Sequence, residues 1–130
     1  MSGFNKIFFD FDSTLIRAES LDLLADLCGC GEAVRRMTDD SMSGKISFAR
    51  IFKAKNDLIN PSRSQAREIA SRCTGLVVED AAQVIGMLHA LGKRVYIISA
   101  NFHEIIDPVA RHLGVPHDRI IANNIYFDSC

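Results

Sequence analysis

No apolar run in this chain approaches the roughly 20 residues that a membrane-crossing helix needs, so a membrane partner is not expected. Charge of one sign is missing too. Fifteen basic and 16 acidic residues leave a net −1, with no basic field for nucleic acid or an anionic surface. There is no block of like charge, no repeat and no low-complexity segment. The N-terminus lacks a basic stretch followed by an apolar core, so no export signal is expected and the predicted compartment is the cytoplasm. Cysteines are few: Cys28, Cys30, Cys73 and Cys130. Reduced thiols are the expectation there. Cys28-Gly29-Cys30 has no second matching pair, which favours small buried hydrophobes over a zinc site. His89, His103, His112 and His117 show no metal-ligand spacing and read as helix surface, His103 drawing interest only because it follows a candidate loop.

What remains is a chain of 130 residues, 48 % apolar and 24 % charged, enough for one domain with a real core. Its most informative stretch is Phe8-Phe9-Asp10-Phe11-Asp12-Ser13-Thr14. The apolar run up to Phe11 predicts a strand buried on both faces of a parallel sheet. Side chains two apart on a strand point the same way, so Asp10 and Asp12 would face one pocket at its carboxyl end. Ligands of open α/β sheets bind at that end. Two carboxylates there can hold a hard cation and divide the work of nucleophile and acid/base. Alternatively they cap a turn and nothing more.

From about residue 17 to 75 the pattern is helical. Leu21, Leu23, Leu24 and Leu27 give one face ending at Cys28-Gly29. Gly31 to Met42 forms a second helix. Ile46, Phe48, Ile51, Phe52 and Leu58 mark a third, with Ser47 as N-cap, and Ser62 caps a fourth running to Cys73. Beyond Gly75 the α/β signal returns. Asp80–Leu91 predicts a helix, Val95–Ile98 a buried strand ending in Ser99, Phe102–Leu113 a helix containing Pro108, and Arg119–Ala122 a strand. Ile125–Phe127 has the makings of a hairpin. Strands alternating with helices predict a parallel sheet with right-handed crossovers.

Asp10-Phe11-Asp12-Ser13-Thr14 after a strand resembles motif I, D-x-D-x-T, of the haloacid dehalogenase superfamily. Ile97-Ile98-Ser99-Ala100-Asn101 resembles its motif II. The resemblance implies an α/β fold, a Rossmann-like parallel sheet with a small inserted all-helical cap. Residues 1–16 and 76–130 would form the core and 17–75 the cap. It implies Asp10 as nucleophile, Asp12 as acid/base, and Mg²⁺ held by the Asp10 carboxylate and the Asp12 carbonyl. The Ser99 hydroxyl and the backbone amides of Ala100 and Asn101 would bind phosphoryl oxygens at a helix N-terminus. The helical insert is similar to the cap of the phosphoserine phosphatase-like subfamily, and Met42-Ser43-Gly44-Lys45-Ile46-Ser47-Phe48 is similar to its M-x-G-x-x-x-F stretch. That likeness implies substrate-binding roles for Glu19 and Lys55, and a small phosphorylated metabolite as partner. The plain alternative for both is solvated helix surface.

The chain departs from the family in four places. Lys55 stands where the subfamily has an arginine, keeping the charge but losing the planar fork. Ala100-Asn101 replaces Gly-Gly. No motif III lysine follows motif II, Lys93 lying before it, and no G-D-x-x-[ND] follows. The expectation is therefore a C-terminally truncated member whose first strand becomes an apolar edge. Such an edge invites pairing with another chain, as a homodimer or a domain-swapped assembly. The leading reading is a Mg²⁺-dependent phosphomonoesterase. Its rivals are a non-catalytic phosphate- or metal-binding remnant, perhaps an interaction module, and a response-regulator receiver, against which the helical insert and Thr14 argue.

Overall fold

The computed structural model describes residues 3–128. Strand β1 (Lys6–Phe9) is followed by four helices: α1 (Ser20–Leu27), α2 (Gly31–Met42), α3 (Phe48–Ile59) and α4 (Arg63–Thr74). Then come α5 (Ala81–Ala90), β2 (Arg94–Phe102), α6 (His103–His112), one 3-10 turn (His117–Arg119) and β3 (Ile120–Asn123). The sheet has the order β1-β2-β3, parallel throughout, with Ile7 opposite Val95 and Ile97 opposite Ile120. This is the predicted mixed α/β fold with a helical insert.

The helix boundaries follow local chemistry. Ser62 caps α4 through a full capping box, its hydroxyl accepting the Gln65 amide while the Gln65 side chain accepts the Ser62 amide. Ser47 sits at the N-cap of α3 as expected, but its side chain caps nothing. Gly29, just past α1, takes a φ of 79°, a left-handed turn open to glycine at little cost. Pro108 lies inside α6, which begins at His103, so it neither delays the helix nor ends it. No strand forms over 124–128, so the hairpin expected near Ile125 is absent from the described residues.

One expectation fails instructively. β1 is not buried on both faces: Ile7 and Phe9 turn inward, while Phe8 is 51 % exposed. A sheet in simple sequence order with right-handed crossovers puts both crossover helices on the same face. Burial alternates accordingly, with Val95, Ile97 and Ile120 inside and Ile98 and Ile121 about half exposed. Phe8 and Tyr96 stack on the outer face at 4.9 Å. Among the described residues nothing covers that face.

The helical insert has no core of its own. Leu24, Val34, Ile59, Ile69 and Cys73 join one buried cluster with Val95, Ile97, Ile105 and Ile106. The chain enters and leaves the insert side by side, where Ile16 bridges Val77 and the Arg17 amide donates to the Leu76 carbonyl at 2.8 Å. That pinch sets the helices over the carboxyl ends of β1 and β2. No described helix is long and apolar enough to cross a membrane.

Candidate active site

A cleft of about 550 Å³ opens between the sheet's carboxyl ends and the helical insert. It brings together every site residue expected from the sequence: Asp10, Asp12, Glu19, Lys55, Ser99, Ala100 and Asn101. Residues up to 91 apart in sequence thus meet, because parallel strands deliver their ends to the same side.

Both carboxylates lie past the end of β1, which stops at Phe9, so their common direction comes from the loop and not from strand alternation. The Asp10 Oδ1 accepts its neighbour's amide, Phe11 N–H, at 2.7 Å. Ser13 then takes a left-handed φ of 55°, and its amide donates to the Ala18 carbonyl at 3.0 Å, closing the loop. This tight return carries the chain straight into α1.

Asp12 is the fixed point of the site. Its Oδ1 accepts the Ser20 amide at 2.7 Å and the Ser20 hydroxyl at 2.6 Å, and its Oδ2 accepts from the Asn101 amide nitrogen at 3.2 Å. The N-cap residue Glu19 gives α1 no side-chain cap. Asp12 does that work from eight residues upstream, taking an orphan N–H at the positive end of the helix. Ser20 and Asn101, both buried, also bond to each other. Ser20 carries no motif and was not foreseen; a serine opening a helix is the only signal it offers. Beneath the site the buried Cys73 thiol has its pKa pushed up to about 12, first by desolvation and then by the Asp12 charge.

The second expected feature takes a different form. β2 does not stop at Ser99; it runs through Phe102 with a register irregularity between Ile98 and Phe102, and α6 begins only at His103. Ser99 is therefore not at a helix N-terminus. The Asn101 amide is already spoken for by the Ser99 Oγ at 3.0 Å, and the Phe102 amide by the Asn101 Oδ1 at 2.9 Å. Asparagine and serine side chains compete for backbone amides in this way wherever they border irregular strand ends. Asn123 donates to the Ala100 carbonyl at 2.7 Å and fastens the segment to β3.

The insert supplies the opposite wall. The Ser13 hydroxyl donates to the Glu19 Oε1 at 2.7 Å, and the Lys55 Nζ donates to the Thr38 Oγ1 at 2.6 Å. Phe52 reaches from α3 to Phe102, ring centres 6.3 Å apart, and stacks on Phe48 at 5.9 Å. Met42 and Phe48 of the M-x-G-x-x-x-F stretch line the cleft. Lys93 does not reach it, its ammonium lying near Gly3 at the other end of the sheet. The cleft thus sets four carboxylates, Asp10, Asp12, Glu19 and Asp22, against the single ammonium of Lys55. An anion entering it needs a cation.

Oxygen donors for such a cation are present. Among the described residues, the Asp10 Oδ2 and the Asp12 carbonyl accept no protein hydrogen bond. The Asp12 Oδ1 does not fit the role, since it already accepts both the amide and the hydroxyl of Ser20, and its Oδ2 faces Asn101. Magnesium is commonly held by one or two protein oxygens, with water and substrate phosphate completing the shell, and that donor set suits it.

Comparison with known proteins gives the family and the fold. The family described as haloacid dehalogenase-like hydrolase matches residues 7–129. A phosphoserine phosphatase of Drosophila melanogaster is 37 % identical over 92 % of this chain and 44 % of its own length. The human phosphoserine phosphatase is 32 % identical over 95 % of this chain and 55 % of its own. A phosphoserine phosphatase solved as a phospho-aspartyl intermediate analogue superposes with a TM-score of 0.83 at 26 % identity, over 98 % of this chain and 60 % of that one. The chain spans about half the length of the curated relatives it matches.

Proposed function

This chain belongs to the haloacid dehalogenase-like hydrolase family, and from that premise we propose that it is a Mg²⁺-dependent phosphomonoesterase working through an aspartyl-phosphate on Asp10 and acting on a small, phosphoserine-like metabolite. The observation that carries the reading is the meeting of Asp10, Asp12 and Ser99 in one cleft. Residues 17–75 serve as the cap, which encloses a substrate of small size between α1, α3 and the sheet.

In the proposed reaction an Asp10 oxygen attacks phosphorus, the bond from phosphorus to the ester oxygen breaks, and Asp12 gives that oxygen a proton. A water then attacks the phosphorus of the aspartyl-phosphate, Asp12 takes its proton, and Asp10 is released with inorganic phosphate. The Asp12 Oδ2, whose single partner lies at 3.2 Å, is the oxygen free enough for this traffic. The Asp10 carboxylate and the Asp12 carbonyl would hold magnesium, which would supply charge neutralisation between carboxylate and phosphate. The Ser99 hydroxyl and the Ala100 amide grip phosphoryl oxygens, while the Asn101 amide holds Ser99 in place. Glu19 and Lys55, each fixed by a hydroxyl partner, face the substrate's own amine and carboxylate.

One observation favours a second reading, a phosphate- or metal-binding module without turnover. Lys55 is the cleft's single cationic side chain, on the cap side and not beside Asp10. Losing one charge-stabilising group typically costs ~10²–10³ in rate. The uncovered face beside β1 supports assembly with another chain, as a homodimer or a domain-swapped form, which light scattering reads directly. The unpaired thiols Cys28, Cys30 and Cys73 suit a reducing cytoplasm.

Hydrolysis of an aryl phosphate with and without Mg²⁺, beside Asp10→Asn, tests the main reading. Magnesium-dependent turnover that vanishes in Asp10→Asn supports it. A folded chain that binds beryllofluoride but never turns over supports the second reading. A folded chain that does neither refutes both.

A further inference from the structure

We propose that His103, Asp107 and His117 form a separate site for a divalent transition metal of the zinc class, a clip between α6 and the turn that leads into β3. His103 and Asp107 are one helical turn apart and share a face of α6. His117 comes from the 3-10 turn packed against that face. The His117 Nδ1 lies 2.9 Å from both Asp107 oxygens, and the His103 Nδ1 lies 3.6 Å from the Asp107 Oδ1. One donor atom from each residue falls within 4.8 Å of the others. In a tetrahedral zinc site with bonds of about 2.0–2.2 Å, neighbouring donors stand about 3.3–3.6 Å apart, so this triangle closes on a metal with little movement.

A second observation points to a missing ligand. The His103 Nδ1 is buried and has no hydrogen-bond partner. A buried polar nitrogen left unpaired is costly and rare, and a metal bond would satisfy it. His117 by contrast is 73 % exposed, so metal can enter and water can complete the coordination. Arg111 lines the same small cavity as Asp107 and His117, about 180 Å³, but makes no ion pair with Asp107. Two imidazoles and one carboxylate suit zinc, cobalt or nickel, whereas magnesium prefers an all-oxygen shell. The site is distinct from the cleft: none of its three residues lines it. The sequence hides it because the third ligand follows the second by ten residues through a helix end and a turn. A metal here would pin α6, which begins directly after the Ser99–Phe102 segment, to the lead-in of β3.

The test is zinc titration of the untagged chain against a chromophoric chelator in millimolar Mg²⁺, with Co²⁺ as a spectroscopic stand-in. One zinc per chain is expected, with visible cobalt bands of a four-coordinate site. His117→Ala removes an exposed side chain and leaves the fold intact by circular dichroism. It should weaken binding at least about tenfold, since even outer-shell partners of metal ligands are worth that much. Asp107→Asn should do the same, and Cys28→Ser with Cys30→Ser should change nothing. Failure of the wild-type chain to take up stoichiometric zinc overturns the proposal, as does wild-type affinity in both His117→Ala and Asp107→Asn. Either result is independent of phosphatase activity.

Discussion

Replacing Ser20 with alanine should destabilise the chain far more than a helix-end serine ordinarily would. The Ser20 hydroxyl is buried, donates to the Asp12 carboxylate at 2.6 Å and receives the Asn101 side-chain amide. A hydrogen bond to a charged group contributes about 1.5–3 kcal/mol, and a buried donor left unpaired costs about 1–3 kcal/mol. The two losses share partners and do not add fully. The Asn101 amide keeps its bond to the Asp12 Oδ2, and Asp12 keeps the Ser20 amide. A net cost of about 2–3 kcal/mol follows for Ser20→Ala, a fall of roughly 6–12 °C in Tm for a domain of this size. Urea unfolding at pH 7 measures it, and a cycle with Asp12→Ala isolates the pair. Residues in direct contact should couple by about 1–2 kcal/mol. If Ser20→Ala lies within about 0.5 kcal/mol of wild type, or the two changes simply add, Asp12 is not anchored through Ser20 and the account of the site fails.

Ile69→Ala, on the buried face of α4 in the shared core, should cost about 2–5 kcal/mol by denaturant unfolding; a near-neutral result would mean that the insert packs loosely on the sheet. Cys73 is held protonated up to about 12 in the folded chain and ionises from 9.0 when unfolded, so the folded state binds more protons in that window. Stability should therefore fall as pH rises from 9 toward 12, and the fall relative to pH 8 should be smaller in Cys73→Ala; identical pH profiles would contradict it. Thiol reagents at pH 8 should label Cys73 more slowly than Cys28 or Cys30, read by peptide mass. If the chain turns over, Lys55→Met should raise KM about tenfold or more for a carboxylate-bearing substrate with kcat changed less, and Lys55→Arg should restore part of it; an unchanged KM would make Lys55 only the partner of Thr38.

Much of this molecule is legible in the local pattern of its residues. Helix positions followed from 3.6-residue apolar spacing and punctuation: Gly31–Met42 is α2, Ser62 caps α4, and Gly29, Gly92 and Gly114 take left-handed φ values just past helices. These are local matters, decided by backbone sterics within a few residues. The cleft's membership was also legible, because D-x-D-x-T follows β1 and Ser99 lies toward the carboxyl end of β2, and parallel strands bring those ends to one side. The rest comes from packing between distant elements. Whether the apolar run Lys6–Phe9 is covered on one face or two depends on what packs there, and a run of Ile and Phe reads the same either way. The irregular course of β2 past Ile98 goes with the Ser99 and Asn101 side chains capturing the amides of Asn101 and Phe102, a competition between nearly equal hydrogen bonds. Ser20 gains its importance from Asp12 and Asn101, and His103 from His117, partners that only the meeting of the start of α1 with the end of β2 and the packing of α6 against the turn before β3 supply. Long-range contacts of this kind leave no periodic trace, since spacing records what a residue's own element needs and not what a distant one brings to it.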